Sequence, residues 1–178
     1  MTTTDERPDM AELLQGGAML PMHGLTEATH IGKDDLPFVD LGDGSSIQLL
    51  QADLNQGLWV INSRFAPGYS VPKHYHTGSV FAVTHSGSWY YKEYPEYVNR
   101  AGSYLYEPAH SVHTLMVSQD NEGDTEVWFA IYGANINMTE EGQVTGVVDA
   151  QGILGIYRAV CGQQGLSHEK VIVIGEPE

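Results

Sequence analysis

His74, His76 and His113 are the residues of this chain best suited to metal chemistry. Neutral imidazole is the commonest protein ligand for first-row divalent metals. His74 and His76 stand two apart, so on a strand both rings project from one face. Such a pair, joined by one imidazole from a neighbouring strand, makes a three-nitrogen face that leaves about three coordination positions open. Among eight histidines an i, i+2 pair also arises by chance, and a solvated strand face is the plain alternative. His85 falls on the opposite strand face from the pair. His23, His30 and His168 lie in peripheral segments and suggest no role. The frame around the pair gives it weight: Gly68 and Gly87 bracket the first two histidines, and Gly102 and Pro108 precede the third. Glycine and proline at such places mark the tight turns that begin and end strand pairs.

The elements that must position these histidines read as short strands. Apolar and aromatic runs at Ile47–Ala52, Leu58–Phe65, Val80–His85, Ser88–Glu93, Ser103–Tyr106, Val112–Val117, Thr125–Tyr132 and Gln143–Val148 are separated by Gly, Pro, Asn and Asp. That pattern predicts an all-β barrel or sandwich. After Asp149, a residue type suited to capping, Ile153, Ile156, Tyr157, Val160 and Cys161 recur at helical spacing until Gly165. This predicts an amphipathic helix of about four turns laid across the outside of the barrel. Residues 1–20 read as a lead-in, with one turn of helix at Met10–Leu14 before Gly16 and Gly17. The run Val171–Ile174 is too short to assign.

The frame Gly68-x5-His74-x-His76-x10-Gly87, then Gly102-x5-Pro108-x4-His113, resembles the two motifs of the cupin superfamily. Those motifs read G-x5-H-x-H-x3,4-E-x6-G and G-x5-P-x-G-x2-H-x3-N. The resemblance implies a double-stranded β-helix, or jelly-roll, barrel over about residues 40–148, with a C-terminal helix over about 149–165. The whole of 1–178 would then be a single cupin domain with a metal inside one end of the barrel. Val80 stands where the first motif has a metal-binding glutamate, and His110 and Val117 replace the second motif's Gly and Asn. The expectation is a metal held by His74, His76 and His113 alone, with no protein carboxylate.

Three phrases resemble the 2,4′-dihydroxyacetophenone dioxygenase family of cupins: Tyr75 to Val80, Gly87 to Tyr94, and Ala101 to Ala109. That resemblance implies a non-haem Fe(II) site, dioxygen as co-substrate, and cleavage of a small aromatic ketone, an aryl hydroxymethyl ketone, to two carboxylic acids. It also implies a glutamate needed for activity. Glu93 and Glu96 are the carboxylates nearest the site in sequence, and His110 is a further acid–base candidate. A base for an α-hydroxyketone must lie within hydrogen-bond reach of the acidic proton. If β-alternation runs on from Trp89 and Tyr91, Glu93 points the same way as they do. Val80, Tyr91, Tyr104 and Trp128 are the candidate pocket residues, suited to an aromatic ring. A related diketone-cleaving cupin, a zinc-dependent isomerase or hydrolase, and a non-catalytic metal- or ligand-binding cupin are the competing readings.

Eight basic residues against 23 acidic ones give a formal charge of −15. That balance opposes binding to nucleic acid or to an anionic membrane surface, both of which require basic patches. The opening residues lack the basic and apolar regions of a signal peptide, so a cytoplasmic location is expected. Cys161 is the single cysteine and permits no intrachain disulfide. By analogy with other barrel cupins, a homodimer or homotetramer is expected.

Overall fold

The structure, a computed structural model, describes residues 27–176. The chain divides into two units, Met1–His30 and Ile31–Glu178, and the architecture below is that of the second. The helical turn expected at Met10–Leu14, with its lead-in, lies outside the described residues.

Two antiparallel sheets face one another. The first runs β1 (Val39–Asp40), β2 (Ser45–Asp53), β3 (Leu58–Phe65), β10 (Thr125–Tyr132), β5 (Val80–Ser86), β8 (Tyr104–Glu107), and β13 (Ile172–Ile174) adds to β2 in parallel. The second runs β12 (Val144–Val148), β11 (Asn135–Met138), β4 (Ser70–His76), β9 (His113–Val117), β6 (Ser88–Tyr91), β7 (Tyr94–Arg100). Side chains alternate in and out along each strand. Leu49, Ile61, Val127 and Phe129 from the first sheet therefore meet Trp89, Leu115 and Val117 from the second in one buried cluster. This is the all-β barrel that the punctuation of the sequence predicts.

The chain crosses from one sheet to the other at Gly87, between β5 and β6. Gly87 has φ +70°, and a Cβ there would lie 2.3 Å from Thr125 Oγ1 and 2.8 Å from Thr125 Cα. Only glycine supplies both the conformation and the space. The helix α1 (Ala150–Gln164) matches its expected span. Asp149 caps it by accepting from Gly152 N–H, and Gly165, in the left-handed region, ends it. Ala150, Ile153, Leu154, Tyr157 and Cys161 are buried, whereas Ile156, expected inward, is 40% exposed. Tyr157 Oη donates to Pro37 O at 2.7 Å, which pins the helix to the segment before β1. No helix among the described residues is long and apolar enough to cross a membrane.

Candidate metal centre

β4 positions two of the three histidines, and its local sequence explains how. Its register against β9 slips between Val71 and His74, the signature of a bulge, which re-aims the side chains that follow. Pro72, lacking an N–H, suits that place. The Pro72 carbonyl lies 2.7 Å from His74 Nδ1. A carbonyl can only accept, so Nδ1 carries the proton and Nε2 is left with its lone pair. Beyond the bulge His74 and His76 are buried on the inner face, and His113, at the start of β9, is the register partner of His74. The potential ligand atoms of His74, His76 and His113 all lie within 4.8 Å of one another. The His74 ring meets His113 edge-on at 4.6 Å between centroids, and His76 at 5.2 Å. Burial pushes the pKa of both β4 histidines down, that of His76 to about 4. At neutral pH these rings are uncharged, the form that binds a metal.

A carboxylate stands beside the three histidines: Glu107, the last residue of β8. Pro108 holds it extended, and the alternation of β8 puts it on the face of Leu105, with Tyr104 and Tyr106 outside. Glu107 is the register partner of Val80 on β5, so a carboxylate stands across the ladder from the place where the motif glutamate is missing. Its Oε2 lies 3.2 Å from His113 Nε2 and 3.6 Å from His76 Nε2. Neither Glu107 Oε2 nor His113 Nε2 has an aligned hydrogen-bond partner. Two buried polar atoms that face each other unpaired are what a donor set for a cation leaves behind. Its Oε1 accepts from Tyr91 Oη, and the Tyr91 ring stacks on His113 at 4.0 Å. Burial opposes ionisation of Glu107, but His113, His76 and the Tyr91 hydroxyl outweigh it and hold its carboxyl below the ordinary range. Burial, with Glu107 beside it, pushes the Tyr91 hydroxyl well up, so Tyr91 is a donor and Glu107 an anion. Three imidazoles, beside a carboxylate that the Tyr91 hydroxyl orients, fit a divalent metal.

An inner cavity of about 220 Å³ reaches this centre between the sheets. Its walls include Ile47, Trp59, Ile61, Leu115, Phe129 and Ile131, and His74, His76, Tyr91, Glu107 and Asn135 line it too. A second recess of about 200 Å³, with Tyr94, Tyr97 and Leu105 in its lining, reaches Tyr91, Glu107 and His113.

Several residues expected at the site lie elsewhere. Tyr104 is 65% exposed, because Leu105 takes the inward position on β8. Trp128 is half-buried between the inward-facing Val127 and Phe129 and borders neither cavity. Val80 is wholly buried in the core and likewise borders neither. Strand β6 ends at Tyr91, so Glu93 sits in the turn before β7; its Oε2 accepts at 2.9 Å from the N–H of Thr114, next to His113 in the chain, and its charge acts on Tyr91 and His74. Glu96 is exposed on β7. His110 is exposed, its ring tilted against Tyr75. It has φ +67°, the left-handed conformation for which the second motif keeps glycine. Its contribution is through the backbone, since His110 N–H donates to His76 O at 2.8 Å. Glu107 was the residue missed.

Residues 26–134, which carry all three histidines and Glu107, match the family described as the ChrR Cupin-like domain. The chain belongs to this cupin family. The cupin is similar to a protein of unknown function with a cupin-like fold from Ralstonia eutropha JMP134, at 42% identity over 76% of this chain and 83% of that one, with a TM-score of 0.70. An RmlC-like cupin from the same organism is 23% identical over 79% and 91% of the two chains, with a TM-score of 0.74. An acetylacetone dioxygenase from Acinetobacter johnsonii shares the fold at 17% identity, over 81% and 99%, with a TM-score of 0.66. No curated protein matches this cupin.

Proposed function

We propose that this cupin is a non-haem Fe(II) dioxygenase that cleaves the carbon–carbon bond beside the carbonyl of an aryl hydroxymethyl ketone. The observation that carries the reading is the buried group of His74, His76 and His113, with an anionic Glu107 beside it, opening onto an apolar cavity. The resemblance of Tyr75–Val80 and its companion phrases to 2,4′-dihydroxyacetophenone dioxygenases supports the substrate class, and the acetylacetone dioxygenase fold supports the chemistry. His74, His76 and His113 would hold the metal. When bound, the metal supplies a Lewis acid with open positions for chelating oxygens and redox access to dioxygen.

The chain's own residues do the rest. The cavity of about 220 Å³ exceeds the roughly 150 Å³ in which an apolar protein cavity holds benzene, so one ring with a short side chain fits. Trp59 and Phe129 present aromatic surface to that ring. Glu107 Oε2 is the proton acceptor, because it is ionised, lacks a hydrogen-bond partner and lies against the ligand nitrogens. Tyr91 Oη fixes the carboxylate by occupying Oε1. Glu107→Gln should keep the metal and lower oxygen uptake by about 100-fold or more, the usual contribution of a positioned base. Unchanged uptake in that variant would remove Glu107 from the mechanism. Uptake with β-diketones and none with aryl α-hydroxyketones would move the substrate to the diketone class while leaving the site intact.

A further inference from the structure

His74 has a partner for the ring nitrogen that faces away from the metal position, namely the Pro72 carbonyl. His76 does not. Its Nδ1 is buried with no hydrogen-bond partner, while its Nε2 faces Glu107. A buried N–H left without an acceptor costs about 1–3 kcal/mol, and a ligand histidine with an unsecured second nitrogen is free to change tautomer. Directly across the ladder, the register partner of His76 is Asn135 on β11. Asn135 Nδ2 donates to Asn137 Oδ1 at 3.0 Å, which leaves Asn135 Oδ1 as the remaining polar atom of the amide. That oxygen is also buried and also has no partner. Asn135 and His76 both line the inner cavity, so the two side chains share a face. Register partners stand with Cβ atoms about 4.5–5.5 Å apart, a span that a single bridging water closes.

We infer that Asn135 is a positioning residue for the metal centre: its Oδ1 accepts the Nδ1 proton of His76 through one bridging water, and so fixes His76 with Nε2 toward the metal. The two unpartnered atoms are complementary, since neutral His76 with Nε2 as ligand has a donor at Nδ1 and a carboxamide oxygen can only accept. On this assignment the Pro72 carbonyl holds His74 from within β4, and β11 holds His76 from across the ladder. It rests on the three-histidine metal reading.

The test is Zn(II) binding by the full chain, with the imidazole N–H protons of the Zn(II)-loaded protein followed by NMR. Asn135→Leu should weaken Zn(II) binding by about 10- to 100-fold, the usual effect of removing such a partner. It should also expose the His76 Nδ1 proton to rapid exchange. Asn135→Asp, which keeps an oxygen at that place, should retain both the affinity and the protected proton. If Asn135→Leu fails to fold, Asn135→Ala, which also removes the oxygen, carries the same expectation. Zn(II) affinity and His76 proton protection unchanged from wild type in the folded variant would overturn the role of Asn135 and leave the metal reading standing. A wild-type chain that binds no Zn(II) would overturn the metal reading, and this inference with it.

Discussion

Tyr91 makes two contacts that serve different ends, a ring stacked on His113 and a hydroxyl given to Glu107. Tyr91→Phe separates them. The stack survives, while Glu107 Oε1 loses its donor in a buried place, so the metal-free protein should lose about 1–3 kcal/mol of stability. Urea unfolding of wild type and variant measures this, and equal midpoints would mean that water replaces the hydroxyl. His113→Ala acts on the metal instead. Removing one of three nitrogens should abolish most Zn(II) binding by titration, yet leave the barrel folded, because the core is supplied by Leu49, Ile61, Trp89 and Phe129 rather than by the histidines. A His113→Ala chain that still binds Zn(II) stoichiometrically would show that the metal sits elsewhere.

At the level of elements, the loop before β9 carries a cost that the sequence discloses. His110 occupies the left-handed region, which costs a non-glycine residue about 1–2 kcal/mol. His110→Gly keeps the N–H that bonds His76 O and removes that cost. The expected outcome is a thermal midpoint raised by several degrees with Zn(II) affinity unchanged; a lower midpoint would mean that the His110 ring against Tyr75 outweighs the backbone strain. Strands with apolar inner faces, such as β3 and β10, were legible because their pattern is hydrophobic burial. Strands β4, β7 and β11 were not marked out as runs. On β4 the buried positions near the site are the two histidines, and β7 is mostly exposed, so neither presents an apolar alternation. The three histidines of the candidate site were legible from glycine, proline and histidine spacing. Glu107 was not, because its place depends on the ladder pairing of β8 with β5, and pairing is a long-range property that a local pattern does not carry. Tyr104 and Trp128 were misplaced for a simpler reason, a phase of one residue along a strand, which turns every side chain to the other face.

Taken as a whole, the molecule is strongly acidic, with a charge of −15, yet the depressed pKa values at its centre make it sensitive to acid. His76 falls from 6.5 to about 4 in the folded chain. Between those values the unfolded state binds a proton that the folded state refuses, so stability drops as pH falls from about 6.5 toward 4. For His76 alone the loss is on the order of 3 kcal/mol, and His74 acts in the same direction. Glu107, held below its ordinary 4.5, adds a loss on further acidification as its carboxyl protonates in the folded chain. Metal-stripped protein should therefore show a urea midpoint that declines steadily below about pH 6.5, and a flat profile from pH 7 to 4.5 would contradict the burial of these rings. The function itself is decided by oxygen uptake of the protein reconstituted with Fe(II) under anaerobic conditions, on a panel of aryl α-hydroxyketones and β-diketones. Uptake is expected with an aryl α-hydroxyketone, matched by formation of two carboxylic acids and lost in His113→Ala. Fe(II) bound by the three histidines with no uptake on any ketone of the panel would contradict the proposed function.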